Sequence, residues 1–226
     1  MNKHTTKTID FLVLRIVIEL IGIILLPFLI NRSFKPIAPL DFMIVSLFAL
    51  IYVFSIEATD FWPTPRMIYH VLLLIPILLL LWKKMFIIAL LLLMQYIIYL
   101  MTDRTPKLND KLTQVLEQGV IPLFLTITIL DTVVESMTVK EVLLIGVLYL
   151  VKIIFSLPIK NFLDFLWPFI GIVAVILLSS GHIISFPATV IMIILLLIST
   201  VAYPKRRNLN QFPTLLLIVL SLVSLI

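Results

Sequence analysis

The sequence predicts an all-α protein, a polytopic transmembrane helix bundle of about eight or nine spans with its N-terminus in the cytoplasm. Three observations carry that prediction. Hydrophobic residues make up 62% of the 226 residues, and the mean hydropathy is +1.23. Only 13% of residues are charged, against roughly 25% in a soluble domain that must cover its surface with water-tolerant groups. Apolar runs approaching the roughly 20 residues of a membrane-crossing helix recur along the whole chain. The loops between them hold at most about a dozen residues, so residues 1–226 are read as one integral membrane domain with no room for a soluble module.

The elements follow in order. A first span over Ile9–Ile30 ends at Asn31-Arg32, and with no small-residue cleavage site it is read as a retained helix rather than a signal peptide. A second covers Pro39–Ala58 and leads into the elbow Thr59-Asp60-Phe61-Trp62-Pro63-Thr64-Pro65-Arg66, where two prolines disfavour helix. Spans three and four, Met67–Trp82 and Met85–Thr102, are separated by Lys83-Lys84 alone, because the combined run is too long for one straight crossing. After the polar loop Asp103–Gln114 come Val115–Met137, Glu141–Leu157, Phe162–Ser180 and His182–Tyr203. Thr214–Ile226 is short for a crossing and is taken as a ninth span.

Orientation rests on the loop cations. With the N-terminus inside, ten Lys and Arg fall on the cytoplasmic side, against Arg32, Lys35, Lys83, Lys84 and Lys140 outside. Lys83-Lys84 run against that count. Spans one to four and five to eight then form two units of like orientation, an arrangement known in transporters, although the halves share no residue-level similarity. The net charge of +5 is read as anionic-lipid affinity rather than nucleic-acid binding, since Lys205-Arg206-Arg207 is the longest basic stretch.

Ionisable groups inside a bilayer are costly and so become candidates for function. Arg15 and Glu19 lie one turn apart in the first span and can bond each other. Asp131 and Glu135 share a face of the fifth span among Thr126, Thr128, Thr132 and Ser136. In an antiparallel hairpin Lys152 lies about 8 Å from Asp131 in depth, so the Asp131, Glu135 and Lys152 cluster is the leading candidate for substrate or ion binding. Glu57, Asp60, Arg66 and His70 at the elbow form a secondary candidate. Glu117 and Gln118 are accounted for by the positive end of their helix.

The chain has no cysteine, so no disulfide or thiolate chemistry is available, and no two histidines are spaced as in a helical zinc motif. Ser179, Ser180 and His182 lie in a short turn with no carboxylate nearby in sequence, which argues against a hydrolase triad. No catalytic, metal or cofactor site is predicted. Three function classes remain: a small transporter or the permease subunit of a multi-chain one; a non-catalytic accessory protein for immunity, assembly or sensing; and, ranked last, an intramembrane enzyme acting on lipid-linked substrate. The expected partners are the lipid bilayer and another membrane or ATPase subunit. The Lys/Ile/Leu-rich, glycine-poor style points to a bacterial cytoplasmic membrane.

Overall fold

The structure, a computed structural model, describes residues 3–32, 36–58, 66–104, 110–157, 166–202 and 211–226. Among these, helices are the only regular elements: α1 (Lys3–Asn31), α2 (Pro39–Ala58), α3 (Arg66–Trp82), α4 (Phe86–Arg104), α5 (Asp110–Val115), α6 (Ile121–Val133), α7 (Val139–Ser156), α8 (Trp167–Ser180), α9 (Phe186–Ala202) and α10 (Phe212–Val223). A π-helical turn, Leu116–Val120, joins α5 to α6 with helical dihedrals on both sides, so residues 110–133 form one continuous rod.

Four helical stretches are long and apolar enough to cross a membrane: Leu12–Asn31, Pro39–Glu57, Phe86–Asp103 and Leu112–Val133. Met67–Trp82, Trp167–Ser180, Phe186–Val201 and Phe212–Val223 are apolar but shorter. The distribution of polarity is that of a protein solvated by lipid. Met43, Leu78, Ile87, Leu90, Leu177 and Val201 are each more than half exposed on helix surfaces, while Gln95, Thr126, Thr128, Thr132 and Lys152 are buried. In water such a surface would associate; in hydrocarbon it costs nothing, and backbone polar groups are satisfied within each helix.

Two adjoining hydrophobic cores divide the bundle. One gathers Leu12, Ile16 and Ile23 of α1 with Phe48 and Tyr52 of α2, Leu73 and Leu80 of α3, Leu92 of α4 and Ile121, Leu125 and Ile129 of the 110–133 rod. The other gathers Leu26 of α1 and Leu130 of α6 with Leu148 and Tyr149 of α7, Val175 of α8, Met192 and Leu196 of α9 and Leu217 and Leu220 of α10. α1 and α6 belong to both, so they are the central pair. The threonines of α6 turn inward; Thr128 and Thr132 return their hydroxyls to Phe124 O and Ile129 O at 2.7 Å each, which removes the cost of burying them.

The ends of the rods are matched by specific bonds. Asn31 Nδ2 donates to Val133 O at 3.3 Å, Ala38 N–H to Thr132 O at 3.1 Å, and Arg32 Nη2 to Leu225 O at 3.4 Å. Lys83 forms an ion pair with Asp41. This "Lys83 end" therefore holds the C-termini of α1, α3, α6 and α10 and the N-terminus of α2. At the opposite "His70 end", His70 at the start of α3 meets Asp103 at the close of α4, 3.2 Å apart. α3 and α4 meet at Lys83-Lys84 in a tight cap. Lys84 takes φ 63°, its N–H bonds Leu81 O and Met85 N–H bonds Leu80 O, satisfying the carbonyls that end α3. His182 repeats the cap at the end of α8 with φ 53°, and α9 starts four residues later, at Phe186.

Two boundaries between the fifth and sixth spans correct the sequence reading. The fifth span stops at Val133, not Met137, and the next helix starts at Val139, not Glu141. Val134 is extended, and Thr138 caps α7 by accepting from Glu141 N–H while the Glu141 carboxylate accepts from Thr138 N–H. This reciprocal cap fixes the entry to α7 and pushes Glu135 out of the helix into the turn.

Candidate functional site: a buried polar centre on α1

Arg15 and Glu19 lie on one side of α1, yet they do not pair with each other as the sequence spacing allows. Arg15 Nη2 reaches α2, 2.7 Å from Glu57 Oε2. The Glu19 carboxylate is shared between two other helices: Lys152 Nζ of α7 donates to Oε2 at 2.7 Å, and Thr214 Oγ1 of α10 donates to Oε1. One helix thus supplies one member of each of two interhelical ion pairs, and α1 becomes the hub that ties α2, α7 and α10 together.

Helix rise explains why these residues meet. Counting at about 1.5 Å per residue from the Lys83 end, Glu19 lies about 18 Å deep along α1, Lys152 about 20 Å along α7, Tyr52 about 20 Å along α2 and Thr214 about 14 Å along α10. Arg15 and Glu57 lie one to two turns deeper, at about 24 and 27 Å. The same count shows why Asp131 and Lys152 do not pair. With the observed boundaries they differ by about 16 Å in depth, twice the separation the sequence reading allowed. Asp131 and Glu135 are both exposed at the Lys83 end, apart from Lys152.

Lys152 is 2% exposed. Besides Glu19, its ammonium faces the ring of Tyr149, 5.7 Å from the centroid. The Tyr149 hydroxyl is hydrogen-bonded to Thr126 at 2.6 Å, which fixes that ring against α6. Removing an ion pair from water costs several kcal/mol per ion unless the geometry and extra hydrogen bonds compensate, and here Thr214 and Tyr149 supply part of that compensation.

The π-helical turn completes the site. Pro122 has no N–H, so a regular α-helix cannot pass through it without losing a bond and crowding the preceding turn. The helix widens instead: Ile121 N–H bonds Leu116 O, five residues back. The carbonyl of Glu117 would receive Ile121 in the α register and residue 122 in the π register. The first goes elsewhere and the second is proline. Tyr52 Oη donates to that carbonyl at 2.7 Å. Gly119 faces α7 so closely that a Cβ there would lie 2.2 Å from Ile153 Cγ1, so this crossing, next to Lys152, requires glycine.

Between these groups is a small cleft lined by Glu19, Tyr52, Glu57, Glu117, Gln118 and Pro122, with apolar walls from Ile23, Val53 and Ile56. Its volume, about 20 Å³ counted for the centre of a water molecule, is enough for about one water and too small for an organic solute. Glu117 and Gln118 therefore line the site rather than serving a helix N-terminus, because the rod starts at Asp110, a full two turns earlier. The signal that marks them in sequence is Pro122, four and five residues on.

Of the secondary candidate, the structure describes the partners of Glu57 and His70. Glu57 belongs to Arg15, and His70 to Asp103, with the His70 ring packed against Tyr96 and Tyr99 at 5.9 and 5.4 Å between centroids. Asp60 and the Arg66 side chain lie outside the described residues. Among the described residues, no three His, Asp or Glu side chains are placed to hold a metal ion. No family model, curated protein or solved structure matches this chain.

Proposed function

We propose that the chain is a nine-span protein of a bacterial cytoplasmic membrane, and that it works as a small transporter or the permease subunit of a multi-chain one. The observation that carries this reading is the Arg15–Glu57 and Glu19–Lys152–Thr214 network, in which four helices meet through buried charge beside a cleft and a π-helical turn. Ionisable residues inside a membrane are rare and mark substrate and ion pathways, and π-helical turns are frequent at functional sites.

The alternating bundle supports nine spans. α1, α3, α6 and α10 end at the Lys83 end, and the count of loop cations favours a cytoplasmic His70 end. The shortest rod, α10, is about 18 Å long and starts at the depth of Glu19, and it is counted as the ninth span because the chain beyond its C-terminal end meets Arg32. The polar centre then lies in the cytoplasmic half of the membrane.

The test is a phenotype or uptake assay in the native host with the chain replaced by Glu19→Gln or Lys152→Met at matched membrane abundance. Loss of function in both supports a transporter; full function in both removes its main support. The small cleft favours a second reading, a non-catalytic accessory protein that acts through helix contacts. Co-purification in mild detergent separates the two, since an ATPase partner makes the chain a permease subunit and a sensor or assembly partner makes it an accessory protein.

A further inference from the structure

Resting on the nine-span reading, we infer that α8 and α9 face a thinned bilayer: the partner of this side of the bundle is lipid with a hydrocarbon layer of about 20–24 Å. In proportion to about 30 Å for 18-carbon chains, that thickness corresponds to acyl chains of about 14 carbons. The helix lengths set the figure. At about 1.5 Å per residue, Trp167 to Ser180 of α8 covers about 20 Å and Phe186 to Ala202 of α9 about 24 Å. The stretches Leu12–Asn31 and Leu112–Val133 at the centre of the bundle, with 20 and 22 residues, match an ordinary core of about 30 Å.

Packing shows where the missing length lies. Gly171 of α8 sits against α7, where a Cβ would come 3.4 Å from Val151 Cγ2 and 3.7 Å from Ile154 Cδ1. Counted from Val139, Val151 and Ile154 lie about 18 and 23 Å below the Lys83 end. Ser180 is only about 14 Å above Gly171, so α8 stops about 4–9 Å short of that end, roughly one helical turn. The turn that follows exposes Gly181 and His182, and an open cleft there is lined by Ser179, His182 and Ser185. Hydrocarbon of ordinary thickness would cover these polar groups, which is costly; a thinned leaflet leaves them among headgroups and water.

A short span meets such a mismatch by snorkelling, by associating with another helix or by thinning the bilayer. Residues 167–202 contain no Lys, Arg, Asp or Glu, so neither helix carries a long charged side chain that reaches out to an interface. Association in lipid relies on small residues and interhelical hydrogen bonds at the contact. In this hairpin those groups face inward: Gly171, Ala188, Thr189 and Ser199 are buried. The outward faces carry Ile170, Val173 and Leu177 of α8 and Val190, Ile194 and Ile198 of α9, all bulky and apolar. Lipid is therefore the occupant of this face, and thinning is its accommodation. Trp167, 47% exposed at the start of α8, stands where an interfacial anchor belongs.

Fluorescence quenching by brominated lipid tests this at α8 itself. Trp62→Phe with Trp82→Phe leaves Trp167 as the single tryptophan, and the chain is placed in phosphatidylcholine vesicles with brominated acyl chains of about 14, 18 or 22 carbons. The expected result is that Trp167 binds the shortest lipid about threefold more strongly than the middle one, and the longest least. Stronger binding of either longer lipid would overturn the inference. A Trp167 that no brominated lipid quenches would overturn it too, by showing a second chain on this face. The crossing of α8 is read separately, from impermeant-maleimide labelling of Leu166→Cys and His182→Cys. Labelling from opposite sides supports the span that the inference needs, even where the lipid preference fails; labelling from one side removes that span and the inference with it.

Discussion

Lys152 is almost fully buried, and its bond to Glu19 spans two helices far apart in sequence. Removing one member of such a pair leaves the other charged in a low-dielectric setting, which costs far more than the pair itself contributes. Lys152→Met is therefore expected to lower stability by about 3 kcal/mol, measured by denaturant unfolding in detergent. The double variant Glu19→Gln with Lys152→Met should recover most of that loss. Equal stability of the single variant and the wild-type chain would show that the pair is not buried as described. Tyr52→Phe should cost about 1 kcal/mol by removing the donor to Glu117 O, and less in a Pro122→Ala background, where an N–H returns to the helix. At this scale the sequence made the right residue types visible, because a charge inside an apolar run is conspicuous. It did not show the partners: Arg15 and Glu19 look self-sufficient at one-turn spacing, and only tertiary packing directs one to α2 and the other to α7.

The elements explain where that reading lost its geometry. Apolar periodicity locates helices well but says little about their last turn. Ser136 and Met137 continue the pattern of the fifth span after the backbone has already left the helix at Val134. The Thr138–Glu141 cap, which sets the true start of α7, was legible as a T-x-x-E spacing. Moving both boundaries separates Asp131 from Lys152 and brings Lys152 level with Glu19. The Lys83-Lys84 break was legible for a different reason, since no straight helix of that length fits one bilayer. The π-helical turn makes a further prediction. Gly119→Ala should cost about 1–3 kcal/mol in thermal unfolding, because its methyl group meets Ile153. Adding Ile153→Ala should recover part of this. An unchanged unfolding temperature in Gly119→Ala would mean that α7 does not approach the turn closely.

For the whole molecule, the composition dictated lipid as solvent, and four helices are long and apolar enough to cross. The remaining rods are shorter than the hydrocarbon core, and the proposal of nine spans draws on how helix ends are joined: Arg32 to Leu225, Asn31 to Val133, and Lys83 to Asp41 at one end, His70 to Asp103 at the other. No sequence pattern displays those pairings, because each joins residues of helices that are separately plausible in either direction. The native chain has no cysteine, so single introduced thiols report topology without background. The most direct measurement is labelling of Glu135→Cys, His182→Cys, Ser224→Cys and Leu112→Cys in intact cells with a membrane-impermeant maleimide. The nine-span account predicts that the first three react from outside and that Leu112→Cys reacts only after the membrane is opened. Reaction of Ser224→Cys and Glu135→Cys on opposite sides, or of Leu112→Cys in intact cells, would contradict it.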